Sequence, residues 1–292
     1  MGDMDRAARL WEPPIVAGDR SCSQAAKRAE TAEGLLRSCT LCERVCRVDR
    51  SRGETGACRC DGDSRIFFEG LLWGEEEFIT PTYAVFFAGC NLGCEFCYAA
   101  EFNRRPQAQS PVDISAVAAR VAQCDAPPVS FSFIGGEPTV HLHTALRLAA
   151  VLPASLPLVW NSNFYFTGEV AKLLAGVMDV FIADLHFGCD DCAYEIAGAD
   201  RYLEVVGRNL LWAAEAGALM VRHLVLPDHL GCCTRPALEW LAGELPGVPL
   251  HLMTNFLPPE PRQTCGTGRY LAESESSAAQ RLALDLGLRL IE

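Results

Sequence analysis

Three cysteines set close together carry the first chemical signal in this 292-residue chain. They lie in Tyr83-Ala-Val-Phe-Phe-Ala-Gly-Cys90-Asn-Leu-Gly-Cys94-Glu-Phe96-Cys97-Tyr98, where a short apolar run ends in Gly89. Three thiolates that close in sequence can wrap one face of a small metal centre but cannot fill four coordination sites. Iron–sulfur clusters are commonly held by thiolates from such a tight loop, and three protein ligands leave one iron of a four-iron cluster open. A zinc loop and three ordinary core cysteines are the bland alternatives. A second group, Cys39, Cys42, Cys46 and Cys58, with Cys60 able to replace Cys58, is a closed set turned by Gly53 and Gly56. A structural four-cysteine zinc site fits it, and so does an auxiliary iron–sulfur cluster. The compact spacing and the loop downstream lean toward iron.

Half of the residues are apolar, enough for one large domain with a small appendage. A net charge of −12 argues against nucleic acid or an anionic membrane as partner. Fifteen cysteines, an odd number and clustered, do not read as a disulfide framework. The opening Met1-Gly-Asp-Met-Asp-Arg leads into no continuous apolar segment, so neither a signal peptide nor a transmembrane helix is expected. Reduced, metal-loaded cysteines in the cytoplasm follow as the expectation, with an anaerobic setting if the cluster forms.

The elements that must position these cysteines become regular from Tyr83 onward. Strands are expected at 83–88, 129–134, 157–161, 179–184, 219–226 and 249–256, with helices between them. Ile114, Val117, Ala118 and Val121 make a helical stripe, as do Leu142, Ala145, Leu146 and Ala149, and Leu203, Val206, Leu210 and Ala213. Pro236 opens a further helix, and Ser276 and Ser277 are expected to cap a last one. Ahead of this repeat, Pro13-Pro14 breaks any early helix, and the polar, helix-favouring residues 24–33 are expected to form a solvated helix or a loose arm that docks on the main body. Six strand–helix units imply a parallel α/β architecture with right-handed crossovers, either an open doubly wound sheet or a barrel, which closes only with eight.

The distinctive residues fall at strand C-terminal ends, the active face in such folds. Gly135-Gly136-Glu137-Pro138 follows the second strand, Asn161-Ser162-Asn163 the third and Asp184-Leu-His186 the fourth, while Arg222 lies in the fifth. The cysteine spacing with Phe96, followed one unit later by the Gly-Gly-Glu-Pro segment, resembles the signature of the radical S-adenosylmethionine (SAM) superfamily. The later segments are similar to those of glycyl-radical-enzyme activases, the group that includes the pyruvate formate-lyase-activating enzyme. Together the likenesses cover about 83–260. They imply a partial (β/α)6 barrel, placed over 67–292, while the residues themselves mark 1–66 as an arm and a cysteine-rich module that the best-known activase lacks.

That resemblance also implies the chemistry. A [4Fe–4S] cluster on Cys90, Cys94 and Cys97 would have its open iron chelated by SAM, whose reductive cleavage yields a 5′-deoxyadenosyl radical. Gly135, Gly136 and Glu137 would hold the amino group of SAM, with Ser162, Asn163, Asp184, His186 and Arg222 on its ribose, amino-acid part and carboxylate, and Phe96 near the adenine. His186 stands where the activases have lysine, Asn161 where they have a cation-binding aspartate, and a histidine is absent near Leu257-Pro-Pro-Glu260. A protein substrate is expected, with an electron donor such as flavodoxin or ferredoxin and no nucleic acid or membrane. Radical chemistry on a peptide or small metabolite is the alternative, and a non-catalytic iron–sulfur or zinc protein is the rival of another class. Cys124 reads as packing, and His141 and His143 at a helix start as capping or packing rather than binding metal. Cys189, Cys192, Cys232 and Cys233 could face the active side, and Cys265 is a candidate hydrogen-atom donor or redox thiol.

Overall fold

A repeated unit of apolar strand and amphipathic helix generates most of the molecule. The computed structural model describes residues 20–74, 76–258 and 268–291. Its elements run α1 (Cys22–Gly34), β1 (Arg65–Leu72), β2 (Thr82–Phe87), α2 (Ala100–Arg104), β3 (Ser110–Pro111), α3 (Ile114–Ala122) and β4 (Ser130–Gly135). Then come α4 (Leu142–Val151), β5 (Leu158–Ser162), α5 (Gly168–Leu174), β6 (Val180–Asp184), α6 (Asp190–Ala197), α7 (Tyr202–Ala216) and β7 (Ala218–Leu224). The series closes with α8 (Arg235–Glu244), β8 (Pro249–Met253), α9 (Glu273–Asp285) and β9 (Arg289–Ile291). All six expected strands are present, and β1, β3 and β9 add to them.

The sheet order is β3-β1-β2-β4-β5-β6-β7-β8-β9. From β2 to β9 every pairing is parallel, while β1 and β3 extend the first edge antiparallel. The edges β3 and β9 do not meet, so the sheet is not closed into a barrel. Both faces of the central strands β4, β5 and β6 are buried. Val159, Val180, Ile182 and Met220 meet Ile79 on the inner face, whereas Trp160, Phe181, Leu219 and Val221 pack outward under the helices. Burial on two faces explains why these strands read as near-continuous apolar runs.

Local signals hold well at helix starts. The Ser21 hydroxyl accepts from Gln24 N at the head of α1, and the Asp113 carboxylate accepts from Ala116 N at the head of α3. Small residues Ala25, Ala29 and Ala32 are buried on α1, which packs along α4. The expectation at the last helix is corrected: α9 begins at Glu273, so Ser276 and Ser277 lie inside it. Glu275 does the capping instead, accepting from Ala272 N at 2.9 Å. The 39–60 segment leans on two strand-end loops. Thr167 donates to Leu41 O (3.2 Å) and, through its hydroxyl, to Thr40 O (2.9 Å), and Arg44 Nε donates to Asn91 O at 2.8 Å.

Candidate active site

Strand alternation decides what the inner face offers at its upper end. Two residues beyond the apolar Val159, Ile182 and Met220 come Asn161, Asp184 and Arg222, on the same face. These three, with Gly135, Gly136, Glu137, Ser162, Asn163, His186 and Phe96, line a cavity of about 210 Å³ whose remaining wall includes Cys90, Cys94 and Cys97. Every residue expected around the cluster and SAM is therefore brought to one hollow.

The cysteine loop is seated by close backbone approach. Gly135 has φ +118°, and a Cβ there would lie 2.3 Å from Phe87 N. A Cβ on Gly136 would lie 2.4 Å from Gly89 O. The space these glycines leave is filled first by the chain's own loop. Glu137 is fully buried; its carboxylate accepts from Thr139 N (2.9 Å), Ser162 Oγ (2.8 Å) and Asn163 N (2.9 Å), tying the end of β4 to the end of β5. Burial pushes its carboxyl above the ordinary range, against the pull of these donors.

Two asparagines that sequence reasoning passed over hold the sulfurs in place. Asn163 Nδ2 donates to Asn91 Oδ1 at 2.8 Å and points at Cys90 Sγ, 3.6 Å away. Asn91, itself buried, donates to Tyr165 O at 2.8 Å. Asn103 accepts from Gly89 N at 3.1 Å and donates toward Cys97 Sγ at 3.5 Å. Asn91 could have been found as the polar residue inside the cysteine motif; Asn103, on α2, carries no such signal. Burial pushes the Cys90 and Cys94 thiols up, with the nearby Glu137 adding to the effect at Cys90 and Cys97 at Cys94.

Arg222 makes an ion pair that the sequence did not disclose. Its guanidinium meets Glu76 in parallel bonds of 2.6 and 2.5 Å, with 15% and 3% of the two side chains exposed. Burial works to raise Glu76, but His251 and Arg222 outweigh it and hold the carboxyl at about 2. Glu76 sits in an acidic run that reads as solvated surface, which is why it was missed. Opposite, Phe96 lies edge-on to His186 with ring centroids 5.4 Å apart. Burial pushes His186 below its ordinary value, with Asp184 pulling the other way, so the imidazole is neutral at pH 7. Its Nδ1 is buried on this wall without a hydrogen-bond partner, a polar atom in want of a ligand.

The family profile described as the Radical SAM superfamily matches residues 84–240, more than half of the chain. This chain belongs to the radical SAM superfamily. Uncharacterized protein MJ0674 of Methanocaldococcus jannaschii is 31% identical over 271 residues, covering 90% of this chain and 79% of its own. Among solved structures, SuiB of Streptococcus suis superposes with a TM-score of 0.53 at 13% identity, over 72% of this chain and 47% of SuiB. A domain of a pyruvate-formate lyase-activating enzyme from Bacteroides vulgatus gives 0.42 at 17% identity, over 55% of this chain and 97% of that domain. At that identity the likeness to SuiB is one of fold, and the chain spans about half the length of SuiB.

Membership in the radical SAM superfamily implies an enzyme that works with a [4Fe–4S] cluster and SAM. The residues fit both: three converging sulfurs form an incomplete donor set, beside a polar hollow with an orphaned imidazole nitrogen. A second hollow of about 560 Å³ opens on the same three cysteines and includes Arg44, Arg59 and Arg104.

The other expected groups fall as follows. Cys39, Cys42 and Cys58 are buried and Cys46 is partly so. Burial pushes the Cys42 thiol up to about 12, and Cys58, Cys39 and Cys46 lie close enough to add to it. Arg50, 1% exposed, donates to Asp61 O and approaches Cys39 Sγ at 3.9 Å. Cys60 is buried against Cys58, its thiol within reach of Cys58 O (3.3 Å) and Ala88 O (3.5 Å) under the cysteine loop. His141 and His143 pack, both bonded to Ser64 Oγ. Cys124 lies just past α3 with its thiol on Arg120 O. Cys265 lies outside the described residues. No helix among the described residues is long and apolar enough to cross a membrane.

Proposed function

We propose that this radical SAM enzyme abstracts a hydrogen atom from a protein substrate, in the manner of the glycyl-radical-enzyme activases its motifs resemble. The observation that carries the reading is the convergence of Cys90, Cys94 and Cys97 with the Gly136–Glu137, Ser162–Asn163, Asp184, His186 and Arg222 groups on one hollow. When bound, the cluster and SAM supply one electron and a 5′-deoxyadenosyl radical. The chain's own residues bind and orient. Ser162 and Asn163 are held by Glu137, Phe96 offers a ring face to adenine, and His186 offers a neutral nitrogen. Arg222 would meet the SAM carboxylate while anchored by Glu76. The open sheet supports a large substrate, as do Tyr98 and Leu257, 81% and 72% exposed. Cys39, Cys42, Cys46 and Cys58 would hold an auxiliary cluster or zinc, with buried Arg50 offsetting thiolate charge. A flavodoxin or ferredoxin would donate electrons from the arginine-lined side.

The test is anaerobic reconstitution with iron, then assay for 5′-deoxyadenosine with and without candidate partner proteins. Cleavage that a partner stimulates, together with a radical or altered residue on that partner, is the expected result. Cleavage that only a peptide or small metabolite stimulates would replace the protein substrate, and no cleavage from a fully loaded cluster would overturn the reading.

A further inference from the structure

Cysteines that look scattered in the sequence meet above β6 and β7. Cys192 lies in the first turn of α6, whereas His229, Cys232 and Cys233 belong to the connection between β7 and α8. One ligand atom from each lies within 4.8 Å of all the others. His229 Nδ1 is 3.2 Å from Cys232 Sγ, 3.6 Å from Cys192 Sγ and 3.8 Å from Cys233 Sγ. One ring nitrogen cannot make good hydrogen bonds to three thiols at once. A tetrahedral ion with bonds of about 2.3 Å to sulfur and about 2.0 Å to nitrogen would hold such atoms roughly 3.6 Å apart.

We propose that Cys192, His229, Cys232 and Cys233 bind a single zinc ion that clamps the loop after β6 to the loop after β7.

The backbone prepares this meeting. Residues Leu230–Thr234 form a widened π-helical turn, a feature found mostly at functional sites. It starts with Cys233 N and Thr234 N both donating to His229 O, at 2.9 and 3.1 Å. Positions 229, 232 and 233 stand three and four apart and so share one face. On the opposite side, Cys189 caps α6 by accepting from Cys192 N at 3.4 Å, which fixes the turn that presents Cys192. The two segments press together at Gly188, where a Cβ would lie 2.2 Å from Cys233 O.

Three thiolates and one imidazole suit zinc. A four-iron cube spreads its ligands over separate irons and needs more room than this group leaves. With four protein ligands the set is closed, so the ion is structural. It would lock the chain six residues beyond His186 and thereby steady one wall of the neighbouring hollow. The clamp is independent of the radical chemistry.

Full-length protein, purified without oxygen, is analysed for zinc and iron alongside Cys192→Ser and His229→Ala, which remove a ligand from each side. Each variant is expected to carry one zinc fewer per chain than the parent, with iron unchanged. Unchanged zinc in either variant overturns the clamp, as does loss of iron or a disulfide among these cysteines. Should the variants fold poorly, zinc-edge X-ray absorption of the unaltered chain decides. Imidazole scattering beside sulfur supports the site; sulfur alone, or no zinc, overturns it.

Discussion

The cysteine loop at 90–97 and the group at Cys192, His229, Cys232 and Cys233 are two ways of gathering thiols in one chain. The loop draws three ligands from one short segment, leaves the set incomplete, and surrounds it with polar groups and empty space. The second group draws four ligands from two distant segments, closes the set, and leaves no room for anything but an ion. An incomplete set beside a cavity is suited to holding a reactant. A complete set between two loops is suited to holding a fold. The same residue type serves opposite ends because the number of protein ligands supplied, not their softness, differs.

The largest effect expected is at the loop. Cys94→Ala should abolish 5′-deoxyadenosine formation and empty the cluster while leaving bound zinc intact, as read by metal analysis and chromatography. If that variant also lost the zinc, the two regions would not be separate sites. Next comes the wall of the open site. Glu137→Ala strands three donors in a fully buried place and should cost about 4 kcal/mol in denaturant unfolding, with Glu137→Gln costing roughly half of that.

Glu76→Gln probes the other wall. Breaking a buried ion pair costs about 3 kcal/mol, and the loss should weaken SAM binding through a loosened Arg222. Its pH dependence has a definite sign. The Glu76 carboxyl is held at about 2, below its ordinary 4.5, so its stabilisation is complete above pH 4.5 and fades as pH falls toward 2. The parent's melting temperature should therefore fall more steeply across that window than that of Glu76→Gln. The smallest effect belongs to Asn103→Ala, about 1 kcal/mol. Losing its N–H toward Cys97 Sγ should also make the cluster harder to reduce, seen as a lower potential in a redox titration.

The wall residues show where sequence reading stops. Ser162, Asn163, Asp184 and His186 lie at or just past the ends of strands whose apolar pattern is plain, and the resemblance to the activases singled them out there. Glu76 was not, because nothing in a run of glutamates shows that one of them turns inward to meet Arg222 across the sheet. The start of α9 slipped for a similar local reason: Glu275 reaches back to its own helix end, and two serines offered a false cap.

By itself the sequence determined the repeated strand–helix unit, the open three-thiol loop and its glycine-rich neighbour, since all of these are set by residues close together along the chain. Only the tertiary structure decided that Glu76 anchors Arg222 and that Cys192 meets His229, Cys232 and Cys233. Those groupings depend on which loops the parallel sheet brings side by side, and pairing between distant segments leaves no periodic trace in the order of residues.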